Sequence, residues 1–316
     1  MATRVLLTVD TELTWRHYAA GASWRESFER CYKAAGVGIP YQLDMLARYE
    51  LKACFFVDPM PGLVYGMEPV RRMVEPILSA GQEVQLHLHS FWASLAQGEP
   101  VDGKFELTCF GLERQRELIE TARDLLMLAP APSPIAFRSG SYAANEATLL
   151  ALADLGIRYD SSHNGAQHPW PSALPFDPRQ IAPVAYGNVI EVPVTTIEDS
   201  PGSLRHLQLC AVSGRELREA LLHATEQGHE VATIVSHSFE LATRDGTRPN
   251  MMLRRRFESL CAFLAERAAA MPTAHFSDLE GMQVGGEAQP LPPRTLRRAE
   301  RMVEQLWANT VYERRL

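Results

Sequence analysis

Short apolar runs alternate with amphipathic stretches along most of the chain. Val5 to Val9, Ala53 to Val57, Val84 to Leu88, Ile135 to Phe137, Ile157 to Tyr159, Val189 to Val194 and Val231 to Val235 each read as a strand, with Ala274 to Phe276 as a last short one. Runs that are apolar at nearly every position mark strands buried on both faces, as in parallel sheets. Between them, helices are predicted from Pro40 to Ala47, Val70 to Leu78, Arg114 to Leu128, Glu146 to Leu155, Ser213 to Gln227 and Leu253 to Ala269. Their ends carry the expected signals: Asn145 as a cap, Ser213 and Glu216 as a capping box, and Gly81, Gly156 and Gly228 as stops. Leu13 to Lys33 and His163 to Gly187 read as long loops, the first rich in aromatics and arginine and a candidate substrate wall. Strand and helix alternating about seven times predicts a parallel α/β body over residues 1–285.

Residues 286–316 form a C-terminal extension. Pro292 to Leu316 reads as an amphipathic helix with Leu296, Ala299, Val303, Leu306 and Trp307 on one side. That side is expected to pack on the barrel or on a partner subunit. A peripheral membrane contact is the alternative.

The polar and ionisable residues collect where apolar strands stop. Asp10 and Glu12 follow the first strand and share a face, because strand side chains alternate. His87 and His89 end the third in the same relation and can grip one divalent metal; otherwise one is a packed core histidine and the other a loop residue. Arg138, Asp160 and His237 end later strands. In a closed β/α barrel those ends ring one mouth, so residues far apart in sequence would converge. An open doubly wound sheet is the other arrangement, but no Gly-x-Gly-x-x-Gly follows the first strand to support a nucleotide site.

Composition narrows the function. The chain has 316 residues, 46% hydrophobic and 22% charged, enough to build a large core without metal or disulfide. A net charge of −7 argues against general nucleic-acid binding. Five scattered cysteines with no Cys-x-x-Cys pair read as reduced thiols. No secretory signal and no apolar run of about 20 residues is visible, which predicts a cytoplasmic protein.

Five strand-end motifs, in order, carry a resemblance. They are Thr8-Val9-Asp10-Thr11-Glu12, Gly81-x-Glu83-Val84-x-x-His87, Phe137-Arg138-Ser139-Gly140-Ser141-Tyr142, Tyr159-Asp160-Ser161-Ser162 and Ile234-Val235-Ser236-His237-Ser238. Together they resemble the polysaccharide deacetylase superfamily (NodB-like, carbohydrate esterase family 4) over most of residues 4–280. The resemblance implies a distorted (β/α)7 barrel and hydrolysis of an N-acyl amino sugar, usually with a metal such as zinc. It matches Asp10 to the catalytic base, His87 to the first metal histidine, Arg138 to the arginine holding the base, Asp160 to the acid of the fourth motif and His237 to the general acid. The chain departs from the family twice. Thr11 follows Asp10 where a second Asp is usual, and Phe91 stands where a second histidine is usual. Glu12 and His89 are the nearest replacements.

The expectation is a C–N hydrolase that deacetylates or deformylates a nucleotide- or lipid-linked amino sugar in surface-polysaccharide or lipopolysaccharide assembly. Glu12, His87 and His89 would hold the metal, with Asp10 as base. His237, oriented by Asp160, would donate to the leaving nitrogen. Backbone N–H groups near Gly140 to Tyr142 could face the oxyanion. Trp92, Tyr142 and Trp170 are candidate sugar contacts. Partners are a small-molecule substrate and, for the whole chain, a homo-oligomer. A metal-independent amidohydrolase and a non-catalytic carbohydrate-binding barrel are the alternatives.

Overall fold

The computed structural model describes residues 2–102 and 105–313. Met1 and residues 314–316 of the expected segments lie outside them. Among the described residues ten strands form: β1 (Arg4–Thr11), β2 (Cys54–Val57), β3 (Glu83–Leu88), β4 (Ala136–Ser139), β5 (Tyr159–Asp160), β6 (Val184–Tyr186), β7 (Val189–Glu191), β8 (Thr196–Ser200), β9 (Ser203–His206) and β10 (Val231–His237). Eight make one curled sheet in the order β10-β1-β2-β3-β4-β5-β7-β6, and β8-β9 is a separate hairpin. All neighbours in the large sheet run parallel except β6 and β7. The seven parallel strands make the distorted barrel expected of the deacetylase type. It closes without a strand-to-strand seam: irregular backbone crosses the gap beside β10, with Thr195 N donating to Thr233 O at 3.2 Å and Leu209 N to Val235 O at 2.9 Å.

β1 and β10 are buried over most of their length because each has side chains on two cores. One core lies between sheet and helices and includes Val5, Leu7, Val9, Phe55 and Val57. The other fills the barrel interior below the mouth with Leu6, Phe56, Tyr159 and Phe276. Every second residue of β1 points inward, so the series Leu6, Thr8, Asp10, Glu12 climbs from apolar floor to ionisable rim. Register levels the rims: Asp10 lies beside His237 and His87 beside Arg138.

Four expectations need correction. Ala274 to Phe276 is not a strand. Phe276–Leu279 is a 3₁₀ turn that plugs the barrel floor, and Glu83 accepts the N–H groups of Phe276 at 2.7 Å and Ser277 at 3.0 Å. Leu13 to Lys33 is not a loop but short helices, Trp15–Ala19, Trp24–Phe28 and a π turn at Glu29–Lys33, the second nucleated by the Ser23–Glu26 capping box. The proline-rich loop ends in the β6–β7 hairpin, where Gly187 takes the φ of +58° that its turn requires. The apolar side of the C-terminal helix (Thr295–Ala308) does not pack on the barrel. Leu296, Val303, Leu306 and Trp307 are 67, 68, 70 and 51% exposed, while Arg297 and Arg301 are 2% exposed. Arg297 bonds Glu219 at 3.0 Å, and Arg301 bonds Glu216 at 3.2 Å and also Asp199. The helix therefore seats by ion pairs, and Glu219 and Asp199 share themselves between helix and body, with Arg215 at 2.7 Å and Arg205 at 3.5 Å on the body side. Among the described residues no helix is long and apolar enough to cross a membrane.

Candidate active site

Asp10, Glu12, His87, His89, Arg138 and His237 meet in one cup at the C-terminal ends of β1, β3, β4 and β10. Arg138 is fully buried and crosses the barrel beneath the cup. Its guanidinium donates to Asp10 Oδ1 and Thr8 Oγ1, both at 2.8 Å, and to Ser161 O and Oγ at 3.0 and 2.9 Å. It also lies 4.4 Å from the centroid of Phe56. Four of its five N–H donors are thus engaged. Burial alone would raise Asp10, but Arg138, with His87 and His237, more than offsets it and keeps the carboxyl below its usual range. Oδ1 takes the arginine, and among the described residues nothing bonds Oδ2.

Glu12, His87 and His89 offer one oxygen and two nitrogens within 4.8 Å of one another. His87 Nδ1 donates to the Arg138 carbonyl at 2.7 Å, which leaves Nε2 as the lone pair, 3.6 Å from Glu12. Such a backbone anchor on the far nitrogen is how ligating histidines are oriented. His89 Nε2 contacts Glu12 directly, while its buried Nδ1 has no partner. The ring lies flat against Gly140, where a Cβ would sit 2.4 Å from Nδ1, so only glycine admits it. Burial works against ionising both groups. Their mutual attraction wins, holding Glu12 well below the carboxylate range and His89 at about 9. Two imidazoles and a carboxylate, close together and largely buried, suit a zinc-like divalent ion.

A fourth buried group faces this set, and strand-end reading passed over it. Asp58, just after β2, accepts the Met60 N–H at 3.0 Å with Oδ1, and its Oδ2 has no partner. Burial pushes it up to about 6, with His89 and His87 pulling the other way. Its signal was available: it is another carboxylate where an apolar strand stops.

His237 is held by a residue other than the one expected. Its Nδ1 bonds Glu240 at 2.9 Å, and Gln208 sits 3.2 Å from the same nitrogen. Burial lowers His237, but Glu240 and Asp10 overcome it and bring it to about 9. Asp160 does not orient His237. It accepts from Ser162 Oγ at 2.6 Å and shares a buried site with Glu191, 0% exposed like Asp160 itself. Burial and Asp160 together raise Glu191 well above the carboxylate range, so Glu191 carries the pair's proton. Asp160 sits in β5, five places from β10 in the sheet order, and its bond is to its own neighbour Ser162. Glu240, three residues after His237, carried only a weak sequence signal because it lies beyond the strand.

The expected sugar contacts divide. Trp92 is fully buried under Tyr18 and Tyr65 and cannot touch a substrate. Trp170 is 61% exposed on the proline-rich loop. Tyr142 borders the cup at 8% exposure, with a buried hydroxyl that has no partner. Burial, then Asp10, raises its pKa, so it stays an O–H donor. Ser141 and Tyr142 both have positive φ, 54° and 57°, a strain of about 1 kcal/mol or more each in non-glycine residues. A cavity of about 230 Å³ opens from Glu12 and His89, walled by Trp15, Arg16, Phe91 and Phe105. The helices at Trp15–Ala19 and Phe91–Ala96 supply that wall apart from Phe105.

A curled, mostly parallel sheet with ionisable residues at its strand ends defines the class of fold, a distorted β/α barrel. The chain superposes on a crystal structure described as a candidate polysaccharide deacetylase from Mycobacterium smegmatis, with a TM-score of 0.56 and 19% identity over 92% of this chain and 95% of that one. It is also similar to a 4-alpha-glucanotransferase from Thermococcus litoralis, with a TM-score of 0.51 and 12% identity over 87% of this chain and 38% of that one. A family 4 carbohydrate esterase from Streptomyces lividans, in complex with acetate, aligns at TM-score 0.44 and 12% identity over 90 and 98% of the two chains. No protein-family profile and no curated protein matches the chain. The first two likenesses are of fold, and they include two chemistries, so the residues of the cup must decide between them.

Proposed function

We propose that the chain is a metal-dependent hydrolase that removes an acetyl or formyl group from an N-acyl amino sugar. One observation carries this: Glu12, His87 and His89 place three ligand atoms within 4.8 Å of one another beside Asp10, whose carboxyl is held low by Arg138, and His237, which Glu240 raises. Paired groups held apart in this way suit a general base and a general acid. When bound by those three residues, a divalent ion would polarise the acyl carbonyl and lower the pKa of water in the cup.

The chain's own groups do the rest. Asp10 Oδ2 accepts the proton of the attacking water, and Arg138 keeps that carboxylate ionised and aimed. His237, held by Glu240, gives its proton to the leaving nitrogen. The Tyr142 hydroxyl and the strained Gly140–Tyr142 turn border the place where the oxyanion forms. Asp160 and Glu191 act from beneath, by holding Ser162 and the β5 end.

The substrate we favour is a nucleotide- or lipid-linked sugar, met in the cytoplasm during surface-polysaccharide or lipopolysaccharide assembly. A metal-independent amidohydrolase is the second reading, and the direct Glu12–His89 ion pair favours it, since that pair already balances its own charge. The test is amine release from acetylated and formylated amino-sugar donors by purified protein with zinc or cobalt. Release that stops on chelation and returns with metal is expected. Release indifferent to chelation selects the second reading, and none from any donor by folded protein overturns both. His237→Ala then separates catalysis from a sugar-binding barrel, because binding alone would survive it.

A further inference from the structure

Next to the cup lies a cavity of about 320 Å³ whose wall carries four arginines, Arg16, Arg30, Arg244 and Arg248. Arg16 also walls the cavity that holds Glu12 and His89, so the two spaces meet at that side chain. In a chain of net charge −7, this is a local reversal of sign. Among the described residues one carboxylate on the wall, Asp245, faces the group and is already engaged, and Arg244 is not without a partner of its own. It accepts from Thr243 Oγ1 at 2.7 Å, Thr247 Oγ1 at 2.8 Å and Thr247 N at 3.1 Å, and these bonds hold it down at about 2. Among the described residues the guanidinium groups of Arg16 and Arg30 have no hydrogen bond or ion pair, and Arg248 bonds the Tyr312 carbonyl at 3.1 Å. His17, on the same wall, is lowered by burial and then by Arg16 and Arg30, so it stays neutral and adds no charge at neutral pH.

The arginines come from three segments, the Trp15–Ala19 helix, the Glu29–Lys33 turn and the 243–248 loop, of which the last two are pressed together. Gly246, at φ +72°, lets the 243–248 loop lie on the Glu29–Lys33 turn, where a Cβ would sit 2.4 Å from Arg30 O. That backbone contact gathers the arginines of the loop and the turn around one cavity. Guanidinium forks match the geometry of phosphate oxygens, and several around one cavity suit a phosphate or diphosphate better than a lone carboxylate.

We propose that this cleft is the phosphate subsite of the substrate: it takes the phosphate or diphosphate joining the N-acyl amino sugar to its carrier, and so sets the amide over Glu12, His87 and His89. The catalytic half rests on the hydrolase reading above; the binding half does not.

The experiment has two readouts on full-length protein. Pyrophosphate binding is measured by calorimetry on the wild type, Arg30→Glu, Arg248→Glu, the milder Arg30→Gln and Arg248→Gln, and His87→Ala, with thermal melts to check folding. Affinity should fall about tenfold or more in the charge reversals, less in the glutamine variants, and hold in His87→Ala. Equal binding by all, or loss only in His87→Ala, overturns the cleft. Turnover is then compared on UDP-N-acetylglucosamine, on a polyprenyl-phosphate-linked N-acyl amino sugar in detergent and on a neutral methyl glycoside. The charge reversals should raise KM for a phosphate-linked sugar about tenfold with kcat kept, and leave the neutral glycoside unchanged. Whichever carrier is turned over identifies the source of the phosphate. If the binding pattern holds but no amide is cleaved, the cleft stands and the hydrolase reading fails. If the neutral glycoside is cleaved as well as the others and pyrophosphate ignores the variants, the reverse is true.

Discussion

The barrel mouth and the seat of the C-terminal helix both bury arginine against carboxylate, with opposite results. Arg138 is 0% exposed, and Arg297 and Arg301 are each 2% exposed. At the helix seat the carboxylates of Glu216, Glu219 and Asp199 are taken up in holding the helix on the body. At the mouth, Arg138 occupies one oxygen of Asp10 and leaves the other without a bond. Beside it, His89 Nδ1, Asp58 Oδ2 and the Tyr142 hydroxyl are also buried and unpartnered. Buried polar groups are ordinarily paired, because leaving one bare costs about 1–3 kcal/mol. The contrast separates adhesion from chemistry: one set of ion pairs is complete, and the other stops short where a reacting group would enter.

The sharpest way to break this comparison is Asp10→Asn. It keeps the shape and removes the base, so turnover should fall about 10²- to 10⁴-fold in a steady-state assay, with zinc still bound. If kcat is unaffected, the mouth is only another structural pair. Arg138→Met comes next. It strands Asp10 in the barrel and should cost about 3–5 kcal/mol in chemical denaturation. Arg301→Met at the helix seat should cost less and leave the kcat of the mouth intact, because its loss lets the helix swing away into water. Equal costs at the two places would erase the distinction drawn here. Gly140→Ala drives a methyl group into His89 and should weaken zinc binding about 10- to 100-fold by calorimetry with little change in melting temperature.

The smallest expected effect is on pH. His237 is raised from its ordinary 6.5 to about 9. Its folded-state stabilisation is therefore full below 6.5 and disappears as pH rises through about 9. Activity that needs the protonated ring should fall over the same alkaline limb. Glu240→Gln removes the main support for the charge and should move that limb to lower pH in a kcat profile. A limb that stays in place would mean another group sets it.

How far the sequence could be read follows from the same physics. Asp10, His87, Arg138 and His237 were legible because strand alternation and parallel pairing level the strand ends, and period-2 patterns survive in short apolar runs. Glu240 was not, since it lies beyond its strand, where the direction of the chain is decided by packing, whereas Asp58 carried the same strand-end signal as Asp10. Asp160 was assigned to the wrong partner because sequence order says nothing about which strand tops face each other. The C-terminal helix was read with the right residues on one side. Periodicity reveals that a side exists but not whether it turns inward, and here the ion pairs of Arg297 and Arg301 decide that. Phe276 looked like a strand residue because a floor plug is as apolar as a strand. The short helices after Leu13 fall below the length at which helical spacing can be seen.

The claim on which all of this depends is that Glu12, His87 and His89 hold one ion beside Asp10. Anomalous diffraction at the zinc edge, from crystals grown with zinc, tests it most directly. A single strong peak within bonding distance of Glu12, His87 Nε2 and His89 is predicted. A featureless cup in well-ordered crystals, or zinc held elsewhere in the chain, would contradict it.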